Sequence, residues 1–340
     1  MTTINQTSSS KHSSPTAAAS LTGRQRALRE LRRMGPVLGV LVLLLIALAV
    51  FVPTFYGPAN LANVAQQSAQ VGVVSVGMTF VIITAGIDLS VGSVMAGSSV
   101  LSGFLLTGHV PGFVVILACL AVGAVCGGLN ALLVSRMRIQ PFVATLATSA
   151  IIGGLVMQST NGTQLQVSLI TDPLLTFMGS GSVVGIPGPF IIFLGVALIA
   201  GGILRYTAFG RYVYAVGGSQ EAARLSGIPV APVLYGAYAI AGVTSAIAGL
   251  MYTAYLNVGD PTAGSLISLD AIAAVVIGGT SLAGGTGRIL GTVFGALLLA
   301  VLANVLDLLG VSPFMQQTMK GVVIVLAVII TVIVARRSRK

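Results

Sequence analysis

No lysine occurs between residues 12 and 319, and within that interval apolar stretches follow one another with few charges of either sign. Stretches of about 20 such residues match the thickness of a bilayer's hydrocarbon core. Only 7% of the 340 residues are charged, against roughly 25% in an average soluble chain. The runs are continuous rather than alternating, which is the pattern of helices and not of barrel strands. The expected fold is therefore an all-α polytopic membrane protein.

Apolar segments fall at about 37–55, 62–85, 90–107, 111–135, 141–158, 189–205, 231–256, 270–284, 289–309 and 314–335. Those near 90–107 and 270–284 are short enough to be broken or re-entrant. Ten spans with a cytoplasmic N-terminus put both termini in the cytoplasm. Arg136, Arg138, Arg205, Arg211, Arg224 and Arg288 then all lie inside, as the positive-inside rule requires. Asp172, Asp260 and Asp270 fall in outer loops. Nine or eleven spans would split the basic sites between the two faces.

The net charge of +10 is concentrated at the ends, where ten of the 17 basic residues lie. Flanking a membrane span, such clusters set topology and contact anionic lipid, so no nucleic-acid partner is expected. Residues 1–20 are Ser/Thr-rich and read as disordered. Residues 21–34 fit a basic helix on the membrane surface, or a merely charged flank. The polar lead is too long for a cleavable signal peptide. The organisation expected is a basic cytoplasmic tail over 1–35, a permeation domain over 36–335, and a short basic tail over 336–340.

Catalytic chemistry finds no footing. The two histidines, His12 and His109, are far apart, and the seven acids form no pair suited to acid–base work. No metal or other cofactor is expected. Cys119 and Cys126 are seven residues apart in one apolar run, too distant on a helix to bridge, and read as packing residues. The run "GGTSLAGGTGRILGT" (278–292) lacks the lysine of a nucleotide-binding P-loop, so the chain carries no ATPase motif of that kind. Close helix packing and a flexible cytoplasmic turn explain it instead.

Four polar features interrupt the apolar chain. In "TAGIDLSVGSVMAG" (84–97), Asp88 or Ser90 suits a helix N-cap, and Gly86 and Gly92 permit a bend or close packing. The alternatives are a plain cap and a moving gate. Asn60, Asn63, Gln66 or Gln67, and Gln70 recur at three and four, a stripe suited either to interhelical hydrogen bonding or to a solute path. Lys320 lies within the last span, and the turn "LLGVSP" is expected to bring Asp307 to it as a structural ion pair, the alternative being that Lys320 snorkels outward.

The fourth is "GGSQEAARLSGIP" (217–229). Gly217 and Gly218 read as a flexible lead, Ser219 as N-cap, Glu221 as first-turn acid, and Gly227 with Pro229 as the stop. Ala222, Ala223 and Leu225 form its inner side. So short a helix is marginal alone in water, which points to a partner protein's groove, an ordinary loop being the alternative.

Together "GIDLSVGS" (86–93), "GGSQEAARLSGI" (217–228) and "DPTAG" with "LDAIAAVVIGGTSLAGGTGRILGT" (260–292) resemble the ribose-type sugar permeases of bacterial ABC importers. The resemblance spans about 60–335 and implies a multi-pass permease of the cytoplasmic membrane. It also implies that Ser219, Gln220, Glu221, Ala222, Ala223, Arg224, Leu225, Ser226 and Gly227 form the coupling helix, seated in a separate ATP-hydrolysing subunit. Two permease copies and an extracytoplasmic sugar-binding protein complete the expected assembly. Gly86, Asp88, Ser90, Gly92 and Asp270 become gate candidates, and Asn63, Gln66, Gln67 and Gln70 the candidate path. Permeases for branched-chain amino acids or nucleosides have related architecture and are the alternative. A secondary transporter would need ionisable residues at the midplane, and a channel would need a charge ring or filter loop. The chain departs from the family at Ser268, often Glu there, and at Thr286, often Lys.

Overall fold

Proline sets the start of several helices, because its fixed φ and missing N–H suit a first turn. Pro58, Pro141, Pro173 and Pro189 each stand at the first or second helical position. Asn161 ends the helix that Pro141 starts, and Asn257 another, both in the left-handed conformation with φ of 51° and 55°. The computed structural model describes residues 38–168, 170–322 and 325. Both expected tails, and the helix expected over 21–34, lie outside the described residues.

The helices are α1 (Leu38–Phe51), α2 (Pro58–Ile83), α3 (Val91–Thr107), α4 (Gly112–Ser135), α5 (Pro141–Thr160), α6 (Pro173–Gly179), α7 (Gly188–Tyr206), α8 (Ala208–Gly218), α9 (Gln220–Leu225), α10 (Val230–Leu256), α11 (Ile267–Ile277) and α12 (Ile289–Leu308). A further helix runs over 313–322. Among the described residues, six helices are long and apolar enough to cross a membrane: α2, α4, α5, α7, α10 and α12. Helices α1, α3 and α11 are apolar but shorter.

Burial divides the long helices into two shells. The most apolar stretch of α2 is 78% buried, and those of α10 and α12 are each 67% buried. In α4, α5 and α7 the figures are 28%, 22% and 33%, so these helices turn apolar side chains outward, where lipid must solvate them. Helices approach one another by small residues. A Cβ on Gly242 of α10 would collide with the Gly123 carbonyl of α4, and one on Gly291 of α12 with the Gly278 carbonyl after α11. Cys119 of α4 is buried with its thiol 3.6 Å from the Ser98 carbonyl, and both cysteines are free.

Helix α11 corrects the expected eighth segment. It ends at Ile277, so 278–288 is a loop rather than the end of a span. Eleven residues at about 1.5 Å each make about 16 Å, half of a hydrocarbon core about 30 Å thick. The chain before it runs alongside α3: Gly259 packs on Gly103, the Asp260 N–H donates to Ser99 Oγ (3.0 Å), and Gly264 packs on Gly92. Helix α11 therefore starts beside the first turn of α3. Asp270 sits in its first turn, not in an outer loop, and Asp260 is buried.

The connection 161–187 also holds more structure than its polar sequence suggests. Strand β1 (Leu165–Gln166) pairs antiparallel with β4 (Val258–Gly259), and β2 (Ser182–Val183) with β3 (Ile186–Pro187). Asp172 caps α6 by accepting from the Leu174 and Leu175 N–H groups at 2.9 and 3.2 Å.

Candidate functional site

The end of the bundle that carries Arg205, Arg211, Arg224 and Arg288 is organised around α9. Ser219 takes the extended N-cap conformation, and its hydroxyl accepts from the Ala222 N–H at 3.2 Å. Gly227 closes the helix with φ 77°; its N–H reaches the Arg224 carbonyl, and the Ile228 N–H the Ala223 carbonyl, both at 3.0 Å. That pair of bonds is a Schellman stop. Ala223 alone of the helix is buried, whereas Leu225 is 81% exposed. At 3.6 residues per turn, two positions are about 200° apart, so Leu225 cannot share the inner side with Ala223.

Gly217 and Gly218 are not a lead. They finish α8, an amphipathic helix whose N-cap Thr207 accepts from the Gly210 N–H at 3.1 Å. Gly217 is where three backbones meet. A Cβ there would collide with the carbonyl of Ile83, the last residue of α2, and lie 2.7 Å from the Gly285 nitrogen. The Gly285 N–H in turn donates to that Ile83 carbonyl (2.9 Å). Gly284, with φ 82°, leaves room for Ala85 and for the Gly217 carbonyl. The glycine-rich run thus pins α8 to the end of α2, and Tyr214 adds a bond from its hydroxyl to the Gly287 carbonyl (2.9 Å).

Beyond Ile83 the chain turns through the break 84–90. Asp88 is buried, and its carboxylate accepts from the Ser90 N–H (2.9 Å) and hydroxyl (2.6 Å). Ser90 stands at the N-cap of α3, but its side chain does not cap the helix; its oxygen accepts from Asn130 Nδ2 (2.7 Å) instead. Thr148 then donates to Asn130 Oδ1 (2.6 Å), so one chain of bonds ties the break to α4 and α5. Ser268 of α11 holds the other side, accepting from the Gly92 N–H (3.2 Å) and donating to the Leu89 carbonyl (3.1 Å). Gly86 is packed under the Tyr238 hydroxyl of α10. Asn130 and Thr148 were not singled out in the sequence, since each is a lone polar residue whose partner lies on another element, and Ser268 was noted only as a departure from the family pattern.

The polar stripe of α2 divides. Asn60 exchanges amide bonds with Asn304 of α12 (2.8 and 2.9 Å), and Gln66 donates to the Gly179 carbonyl (3.1 Å). Asn63 and Gln67 are exposed and Gln70 half-buried; at spacings of four and three these share one face. The first two residues are interhelical glue, and the remaining three present amides outward from an otherwise central helix.

Lys320 does not pair with Asp307. Its ammonium lies 3.1 Å from Asp270 Oδ2, with side-chain exposures of 27% and 13%, while Asp307 accepts from Gln316 Nε2 at 2.7 Å. Gln316 is one turn nearer the hairpin and meets Asp307 first; Lys320 reaches α11, whose first turn also favours a negative charge. Lys320→Met is expected to lower stability by about 1–3 kcal/mol by leaving a half-buried carboxylate unpaired. Adding Asp270→Asn should recover most of the loss in thermal unfolding of the detergent-solubilised chain.

Long apolar helices around α2 and α10, with two broken inner segments and a capped short helix outside the bundle, define a multi-pass helical membrane protein. The family described as branched-chain amino acid transport system / permease component matches residues 60–328, and the chain belongs to it. It is 41% identical over 290 residues to the ribose import permease protein RbsC of Haemophilus influenzae, covering 85% of this chain and 90% of that one. To RbsC of Bacillus subtilis it is 44% identical over 301 residues, covering 88% and 92%. To the fructose import permease protein FrcC of Rhizobium meliloti it is 39% identical over 299 residues, covering 86% and 83%. No solved structure matches the chain.

Proposed function

We propose that the chain is the membrane-spanning permease subunit of an ATP-driven importer for a ribose-like sugar. The observation that carries this reading is the exposed Leu225 on a capped helix joined through Gly217 to the end of α2 and to the loop 278–288, beside 41–44% identity to ribose import permeases. Ten spans with both termini cytoplasmic put α8, α9 and the loop 278–288 in the cytoplasm, in line with their arginines. There residues 219–227 dock on a separate ATPase subunit. A second copy of the chain completes the solute path, and an extracytoplasmic binding protein delivers the sugar. No resident cofactor enters the scheme.

The mechanism follows from the contacts at Gly217. When the ATPase subunits close, α9 moves, and the Gly217–Ile83–Gly285 contact passes the displacement to two rods. One is α2, which presents Asn63, Gln67 and Gln70 toward the path between the two copies. The other is α11, reached through the loop 278–288; its first turn holds Asp270 against Lys320, and its Ser268 grips Leu89 of the break and Gly92 of α3. Gly86, Asp88, Ser90 and Gly92 then serve as the gate, because a broken helix can move at its break without losing backbone hydrogen bonds.

Proteoliposomes holding this chain with its ATPase and binding protein should take up labelled ribose only with ATP present, with unlabelled ribose competing better than fructose or leucine. Uptake by the purified chain alone would overturn the assignment. Leucine as the better competitor would move it to the amino-acid branch.

A further inference from the structure

Away from the proposed path, a groove of about 570 Å³ opens between α7 and α12 at the arginine-bearing end. Its walls are apolar, and its floor is shaped by two consecutive glycines of α7. A Cβ on Gly202 would meet nothing within 4 Å, and one on Gly201 would only touch Ile289. Glycine weakens a helix interior, so a glycine pair there is explained by the space it leaves. Leu198 and Leu290, on the two walls, are 76% and 55% exposed. The α7 wall belongs to the shell that lipid solvates, and α12, though mostly buried, turns Leu290 outward beside it.

The mouth of the groove is cationic. Arg205 and Arg288 both line it, with Tyr206 and Tyr214 beside them, and none of the lining residues is acidic. The Arg205 guanidinium stands 5.4 Å from the Tyr206 ring centroid, which places a positive charge at an aromatic belt position. Tyr214 stands at the mouth as a fixed wall, its hydroxyl already donating to the Gly287 carbonyl at 2.9 Å. An apolar slot that ends in two arginines and phenols matches an acyl chain capped by an anionic phosphodiester. A second copy of the chain is a poor source of that countercharge, having seven acids among 340 residues.

We propose that this groove binds an anionic phospholipid, with an acyl chain along Gly201, Gly202 and Leu198 and the phosphate at Arg205 and Arg288. The test is native mass spectrometry of the full chain released from micelles doped with equal phosphatidylglycerol and phosphatidylcholine. At least tenfold preferential retention of phosphatidylglycerol is expected. Gly202→Phe, which fills the slot and leaves every arginine and both basic tails intact, should remove one retained lipid per chain. Gly202→Leu should do the same if the larger ring prevents folding. Arg205→Ala with Arg288→Ala should abolish the preference for the anionic lipid at that site while an acyl chain still binds. Equal retention of both lipids, or unchanged phosphatidylglycerol in the Gly202 variants, would overturn the proposal. So would efficient disulfide cross-linking of Leu198→Cys between two copies, because the groove would then be covered by protein.

Discussion

Leu225→Glu is expected to abolish ATP-coupled uptake, by tenfold or more, in a chain that still inserts, folds and pairs. Leu225 is 81% exposed, so its replacement removes little packing, and surface changes of this kind alter stability by about 0.5 kcal/mol or less. An exposed leucine on a six-residue helix outside the bundle is instead a candidate anchor for a groove on a partner. Placing a carboxylate in such a contact forces its desolvation without a counterion, and each 1.4 kcal/mol lost there is about tenfold in affinity. Co-purification of the ATPase subunit should fall in parallel with uptake. Leu225→Met, of similar volume, should retain both. If Leu225→Glu transports at the wild-type rate and still retains the ATPase, α9 is not the docking element.

The same helix marks what the sequence discloses and what it withholds. Its caps were legible because Ser219 and Gly227 act on neighbours a few residues away. Which side faced inward was not, because a helix this short has no apolar periodicity to orient it, and only Ala223 is buried. Proline at Glu221 would seem a natural way to break it, but Glu221 is the second helical residue, where proline is tolerated. Ala223→Pro, which removes the bond from the Ala223 N–H to the Ser219 carbonyl, is the disruptive choice.

The long helices were legible for a similar local reason, since apolar runs and first-turn prolines act within each segment. Helix α8 was hidden because its eleven residues are too few for a span and end in a glycine pair that reads as a flexible lead. The partner of Lys320 was hidden because it depends on how deep α11 starts, and that depth is set by the packing of 259–264 along α3. Ser268 read from the sequence only as a departure from the family pattern, and its contacts with Leu89 and Gly92 are what give it a role.

Gly217 and Gly218 offer the sharpest test of how motion at α9 reaches the bundle, because the same substitution at adjacent positions should have opposite signs. A methyl group on Gly218 meets nothing within 4 Å, so Gly218→Ala should gain up to about 1 kcal/mol of helix stability and leave uptake unchanged. A methyl group on Gly217 collides with the Ile83 carbonyl and lies 2.7 Å from the Gly285 nitrogen. Neither atom is the end of a flexible side chain, so α8, α2 or the loop must move and the hydrogen bond from Gly285 to Ile83 must lengthen. Overpacking of this kind costs about 1–3 kcal/mol, and Gly217→Ala should show it as a lower unfolding midpoint in detergent. The functional loss should exceed the stability loss: the ATPase subunit stays bound through Leu225, ATP hydrolysis continues, and sugar uptake falls by tenfold or more. Hydrolysis without uptake is the signature of a broken link, whereas a merely destabilised permease would lose both in proportion. Equal behaviour of Gly217→Ala and Gly218→Ala would mean that the contact at Ile83 does not carry the coupling.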